Sequence, residues 1–153
     1  MAQRFSRAQR LQTAVKIAWA GMKIAWAAVK IAWAAPASLL GLAAGLAGLV
    51  SGGGVQRRGR VLEFWGGAVT GLLRHAPLVR GALALTLGHV VLGQSARELD
   101  RCRTHELVHV HQYERWGPFF LPAYLGCSLV LWLRGRDYYL DNPFEVEAYR
   151  QAP

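Results

Sequence analysis

The chain has 153 residues, of which 53% are apolar, and carries a formal charge of +9; that length gives one domain with at most an appendage. Its two Cys, Cys102 and Cys127, lack the spacing of a zinc ribbon or a disulfide framework and read as unpaired thiols in a reducing compartment. Residues 1–62 hold nine cations and no acid, whereas residues 63–153 hold nine Arg and nine acids, so the folded part is neutral, which argues against a nucleic-acid binder and reads as a membrane address at the N-terminal side.

Residues 1–13 form a polar lead-in with Arg4, Arg7 and Arg10 at every third position, expected as a frayed helix. Residues 14–34 are three copies of a seven-residue unit with Lys16, Lys23 and Lys30 on one helical stripe and Trp19, Trp26 and Trp33 about 60° away. Cationic heads beside indoles suit a membrane interface, where stems snorkel and rings anchor. A coiled coil fits less well, since three heptads are short and bring no complementary charge.

Residues 31–50 are uncharged, about the length of a span. Pro36 interrupts them, and Gly41 and Gly45 form a G-x-x-x-G that allows close helix approach. Three readings stand: a spanning helix, a re-entrant hairpin bent at Pro36, or a core helix. The excess of cations puts the N-terminus in the cytoplasm. The following domain lies outside if the stretch spans and inside if it bends back; Arg57, Arg58, Arg60 and the unpaired Cys favour inside.

Residues 51–60 are read as a glycine turn and a basic connector. Val61–Trp65 is a short strand and Ala68–Arg74 a short helix. Residues 81–93 form a second strand broken at Gly88, and the two strands are expected to make a small antiparallel sheet. Ser95-Ala-Arg-Glu98 is a capping box opening a helix that runs to Gly117-Pro118. Residues 119–133 are an apolar helix, too short to span, packed over its predecessor or lying against lipid. Asn142-Pro143 opens a last helix as N-cap and first turn.

The helix after Ser95 carries His105-Glu106-Leu107-Val108-His109. On a helix two His four apart share a face and can share a zinc ion, and the Glu between them can activate water. His111 sits about 200° from His109 and cannot join them. A hydrolytic zinc site needs a third protein ligand, and the acids nearest to hand lie in Asn142-Pro-Phe-Glu145-Val-Glu147-Ala-Tyr149.

With that string the chain, over roughly residues 81–150, resembles the zincin metallopeptidases of the gluzincin type, in which a Glu on a downstream helix completes the site, often within a Glu-x-x-Ala-Asp-like string. It is also similar to a group of small bacterial zincin-like proteins. The resemblance implies an α+β fold, a mainly helical, minimal zincin-like domain (55–153) with a small antiparallel sheet; before it, charge and apolar runs give a basic, apolar, membrane-associating helical segment (1–54). The resemblance also implies zinc held by His105, His109 and Glu145, with Glu106 as general base and then acid for peptide hydrolysis. An edge strand, here Thr86–Leu92, is implied as the holder of the substrate backbone. Tyr149 stands where the family string has Asp, which leaves the partner of a ligand His open. Asn142-x-x-Glu145 is also a capping box that would engage Glu145 with its own helix end, leaving Glu147 as the alternative ligand. His89, Tyr113 and Tyr149 are candidate transition-state stabilisers, each also readable as a structural group. The rival readings are a non-catalytic zinc-binding module and a small membrane protein of structural or interaction role.

Overall fold

The computed structural model describes residues 7–75 and 81–152, with side chains from residue 11 onward; the expectation for residues 1–6 lies outside the described residues. Helix α1 runs from Arg7 to Val50 without a break, with Pro36 inside it. Two hairpins follow, β1 (Gly54–Arg58) with β2 (Val61–Trp65) and β3 (Ala84–Leu87) with β4 (Val90–Gly93), separated by α2 (Gly67–His75). Then come α3 (Ala96–Trp116), a 3-10 turn (Gly117–Phe119), α4 (Phe120–Leu133) and α5 (Pro143–Gln151). The class is α+β, as the sequence predicts.

The sheet is mixed, in the order β1-β2-β4-β3, and differs from the expected antiparallel pair in two ways. The basic connector is itself the edge strand β1. Residues 81–93 are not one interrupted strand: Gly88, at φ 64, and His89 turn the chain back on itself. A two-residue loop with Gly first suits a hairpin because its twist matches that of the strands, and Gly59-Arg60 makes the same turn between β1 and β2. The two hairpins meet through β2 and β4, which run parallel, with Leu62 opposite Val90 and Phe64 opposite Leu92. That leaves β3, not the 86–92 stretch as a whole, as the edge on its side: Thr86 and Leu87 belong to it, and Val90–Leu92 is interior.

Alternation along the strands sorts the sheet's two faces. Leu62, Phe64, Leu85, Val90 and Leu92 face α1 and α2, where Val69 and Leu73 complete a core. Val61 and Val91 face α3 and pack with Leu99 and Val110. A third cluster, Ala34, Ala37, Tyr113, Phe120 and Phe144, joins α1 to the three C-terminal helices. Residues 34–48 of α1 are thus part of the domain, and no hairpin forms at Pro36. The small residues Gly41, Gly45 and Gly48 let the helix backbone close onto the sheet: a Cβ at Gly41 would sit 2.7 Å from that of Val90, and one at Gly45 2.5 Å from the Phe64 ring. The G-x-x-x-G spacing here serves a helix lying on strands. Residues 11–26 of α1, by contrast, are exposed on every side.

The ends of the elements fit the residues that make them. Ser95 caps α3 through the Glu98 N–H, and Gly117, at φ 57, stops it. Asn142 caps α5 by accepting from the Phe144 N–H at 3.0 Å. Cys102 and Cys127 are both unpaired.

One consequence is measurable. Gly45→Ala forces its methyl into Phe64 and should cost about 1–3 kcal/mol of stability. Gly21→Ala, where nothing lies within 4 Å, should be neutral or stabilise by up to about 1 kcal/mol. Chemical-denaturant melts of the two variants check the contrast.

Candidate metal centre

His105 and His109 project from one face of α3 because they are one helical turn apart. Their Nε2 atoms lie 3.2 Å from each other. Glu145, from the first turn of α5, enters between them: Oε2 is 3.1 Å from His105 Nε2 and Oε1 is 3.3 Å from His109 Nε2. Two imidazole nitrogens and a carboxylate held at such separations match a tetrahedral divalent ion, whose ligand atoms at about 2.0–2.1 Å keep roughly 3.3 Å from one another. The three residues could hold a metal ion, and they form the one such group among the described residues.

The capping-box question is decided by hydrogen bonds. Asn142 caps α5 through its own side chain, and its N–H is taken by the Tyr139 carbonyl at 3.0 Å. Glu145 is therefore free to face the histidines. Glu147 points elsewhere, accepting from Gln112 Nε2 and from Arg115, each at 2.8 Å.

That second contact chain sets the tautomer of His109. Arg115 holds the Glu147 carboxylate, the carboxylate takes the Gln112 amide N–H, and a further amide N–H goes to the Phe144 carbonyl at 3.0 Å. The amide oxygen is thereby turned to His109 Nδ1, which donates to it at 2.8 Å. With Nδ1 so committed, the neutral ring carries its lone pair on Nε2, the atom facing Glu145 and His105, and the protonated ring donates from that same Nε2 to Glu145. Gln112 thus fills the orienting role left open by Tyr149. It is fully buried, and its spacing of three from His109 on a helix was the signal for it.

Glu106 is buried on the sheet side of α3, where the Thr86 hydroxyl of β3 donates to its Oε2 at 2.6 Å. Burial pushes its pKa up. Glu145 is pushed up by burial too, but hydrogen bonds from His105 and His109 outweigh this and hold it down at about 2. Burial lowers His109, yet its bond to Glu145 and the charge of Glu106 leave it net raised.

The three stabiliser candidates separate. Tyr149 packs against His105 in a tilted arrangement, with ring centroids 4.7 Å apart and planes at 58°. Tyr113 is buried against Phe120, and no bond reaches its hydroxyl. His89 lies on another side of α3, 3.3 Å from Glu114, and bonds none of the three centre residues. The residue that does reach the centre from α4 is Tyr124, whose hydroxyl donates to Glu145 Oε1 at 2.8 Å. Nothing in its sequence neighbourhood marked it.

The free edge of β3 lies beside this centre. The Gln94 N–H bonds the Leu83 carbonyl at 3.0 Å, so in the register Ala84↔Gly93 the bonded pairs are those of Leu85 and Leu87. Ala84 and Thr86 then turn their backbone N–H and C=O outward.

Comparison with protein-family models, curated proteins and solved structures finds no match.

Gln112→Leu keeps the volume but removes the acceptor of His109 and the donor to Glu147. It should weaken metal binding about 10–100-fold. A competitive titration with a chelating indicator checks this, with Glu147→Gln expected to weaken binding less than Glu145→Gln.

Proposed function

We propose that the chain is a membrane-associated, zinc-dependent peptidase-like protein. The observation that carries this reading is the convergence of His105, His109 and Glu145 with Glu106 behind them. The donor set, two neutral imidazoles and a carboxylate, suits zinc and leaves a fourth position for a water or a carbonyl. Bound there, zinc supplies Lewis acidity and lowers the pKa of water.

The residues supply the rest. Glu106 accepts the proton of the attacking water and passes it to the leaving amine, as base and then acid. Its upward shift suits both halves, since a carboxyl too acidic would not hold the proton between them. The Thr86 hydroxyl fixes the carboxylate, and the outward backbone of Ala84 and Thr86 can take an extended peptide by strand addition. Tyr149 against His105 and Tyr124 on Glu145 bring two phenol side chains to the centre, the Tyr124 hydroxyl holding Glu145 in place.

Membrane association is supported by two helical stretches that pass by length and composition for spans, Leu11–Val50 and Ala96–Leu133, the apolar part of the second being α4. Within the first, residues 11–26 are exposed on every side, whereas from Ala34 onward one face packs on the domain and Leu39, Leu40 and Leu46 stay outward. With its cations and no acids, that exposed stretch suits the cytoplasmic face of the membrane. The non-catalytic zinc module is the competing reading, favoured by the narrow access: the His109 and Glu145 side chains are 9% and 4% exposed.

Added zinc should raise the melting temperature of the apo protein, and His105→Ala or Glu145→Gln should abolish that rise. Glu106→Gln should keep the zinc-dependent rise but lower peptide hydrolysis by about 10²–10⁴-fold. Equal cleavage before and after that change would show that Glu106 is not the base.

Glu145, depressed to about 2, stabilises the apo fold above its unfolded pKa of about 4.3, and this is lost as pH falls through about 2. His109, raised, contributes fully below about 6.5, and this is lost as pH rises through its folded value. The apo protein should therefore gain most from the pair between about pH 4.3 and 6.5. Zinc needs the imidazoles neutral, so its stabilising effect should grow with pH above that window; melts with and without zinc across pH test it.

A further inference from the structure

Helix α4 is built inside out. Its two side chains with polar tips outside the indole, Tyr124 and Ser128, both turn inward, Tyr124 to Glu145 and Ser128 to the Tyr138 carbonyl at 2.9 Å. Its outward face is Pro122, Leu125, Leu129, Val130, Trp132 and Leu133, recurring at helical spacing with no polar residue among them. Leu129, Trp132 and Leu133 are 55, 63 and 69% exposed. A helix on the surface of a water-soluble domain has the opposite pattern.

Two further observations say what covers this face. In the exposed stretch of α1, Met22 and Trp26 lie on one side of the helix and Ile24 on the opposite side, and they are 54, 63 and 71% exposed. A second copy of the chain would cover one side; a continuous apolar phase covers all of them. At the far end of α4, Trp132, Tyr138 and Tyr139 stand beside Arg134 and Arg136, the latter paired with Asp141 at 3.0 Å. Indoles and phenols next to Arg are the residues of a headgroup boundary.

We infer that α4 lies in the plane of the membrane interface with its outward face among the acyl chains, and that this seats the metal centre at headgroup level. Fourteen residues make about 21 Å, too short to cross a core of about 30 Å, and one side of the helix is occupied by protein. The helix therefore lies flat, as a one-leaflet element. Tyr124 ties its inner side to Glu145, so the centre stands about one helix diameter, roughly 10 Å, from the acyl surface. On the peptidase reading, on which this consequence rests, the substrate is a polypeptide held by the membrane and presented where it leaves the apolar layer.

The test labels Leu129→Cys, with Cys102 and Cys127 changed to Ser, with an environment-sensitive dye. The full chain is mixed with phosphatidylcholine–phosphatidylglycerol vesicles carrying acyl-chain nitroxides. A blue shift with strong quenching at 129, and none for a label at Arg57→Cys on β1, is the expected result. A label at 129 untouched by vesicles that do quench one at Trp26→Cys overturns the inference, leaving α1 as sole anchor. A shift at 129 that follows protein concentration without vesicles overturns it in favour of a second copy. As a measure that needs no label, Leu129→Asp with Leu133→Asp should weaken vesicle binding about tenfold or more while zinc uptake stays the same; unchanged vesicle binding overturns the inference. Zinc titration of the same samples keeps the two readings apart: quenching at 129 without zinc uptake retains the membrane face and removes the peptidase.

Discussion

The carboxylate of Glu114 is the junction on which the arrangement of helices and sheet depends. It is buried on α3 and gathers three cationic or potentially cationic groups from three different elements. Lys30 of α1 and Arg60 of the first hairpin loop each stand at 2.8 Å, and His89 of the second loop at 3.3 Å. Burial would raise its pKa, but the bonds from Lys30 and His89 and the charge of Arg60 hold it down. A buried charge is tolerable only with partners in good geometry, and removing it would leave several uncompensated groups rather than one. Arg60 and His89 are equivalent, each the second residue of a Gly-first loop, and β2 and β4 start side by side immediately after them. One carboxylate thus fixes where the two parallel strands begin and where α1 crosses α3.

With that junction in place, α3 divides its circumference among three tasks. One face packs Leu99 and Val110 on the sheet, one carries His105 and His109, and one carries Glu114. Glu106 sits where the sheet face meets the histidine face, which is why a strand hydroxyl can hold it. The helix is anchored at the sheet by a second buried pair, Arg103 on Glu63, with Gln56 sharing the same carboxylate. The two histidines of the candidate centre therefore come from a helix tied at both ends of its sheet contact, the condition for holding such atoms at fixed separations.

What the sequence made legible was local. H-E-x-x-H, the Ser95 and Asn142 caps and the stop at Gly117 each depend on residues within one turn, and all are found as expected. The choice between Glu145 and Glu147 needed one long-range fact, that Gln112 and Arg115 on another helix claim Glu147. His89 could be placed in a strand-rich stretch but not at the correct end of α3, because its neighbourhood is made by a loop, α1 and Arg60 together. Thr86 and Tyr124 reach the centre only through packing. The apolar run 31–50 was ambiguous for a physical reason: a sheet face and a lipid core ask for the same side chains. What separates them is Gly41, Gly45 and Gly48, whose missing Cβ atoms face Val90, Phe64 and Val69.

The heptad repeat of α1 has a consequence for reach. Its third copy supplies three contacts to the domain, Lys30 on Glu114, Trp33 beside Gly117 and Phe119, and Ala34 in the core with Tyr113 and Phe120. The first two copies carry the same Lys and Trp but lie clear of the domain. A gain or loss of one whole unit would therefore leave the same residues at the junction, since the copy nearest the domain brings its own. The projecting part of the helix can lengthen or shorten in steps of about 10 Å with the seating of the metal centre unaltered, so the repeat behaves as an adjustable mast on a fixed step.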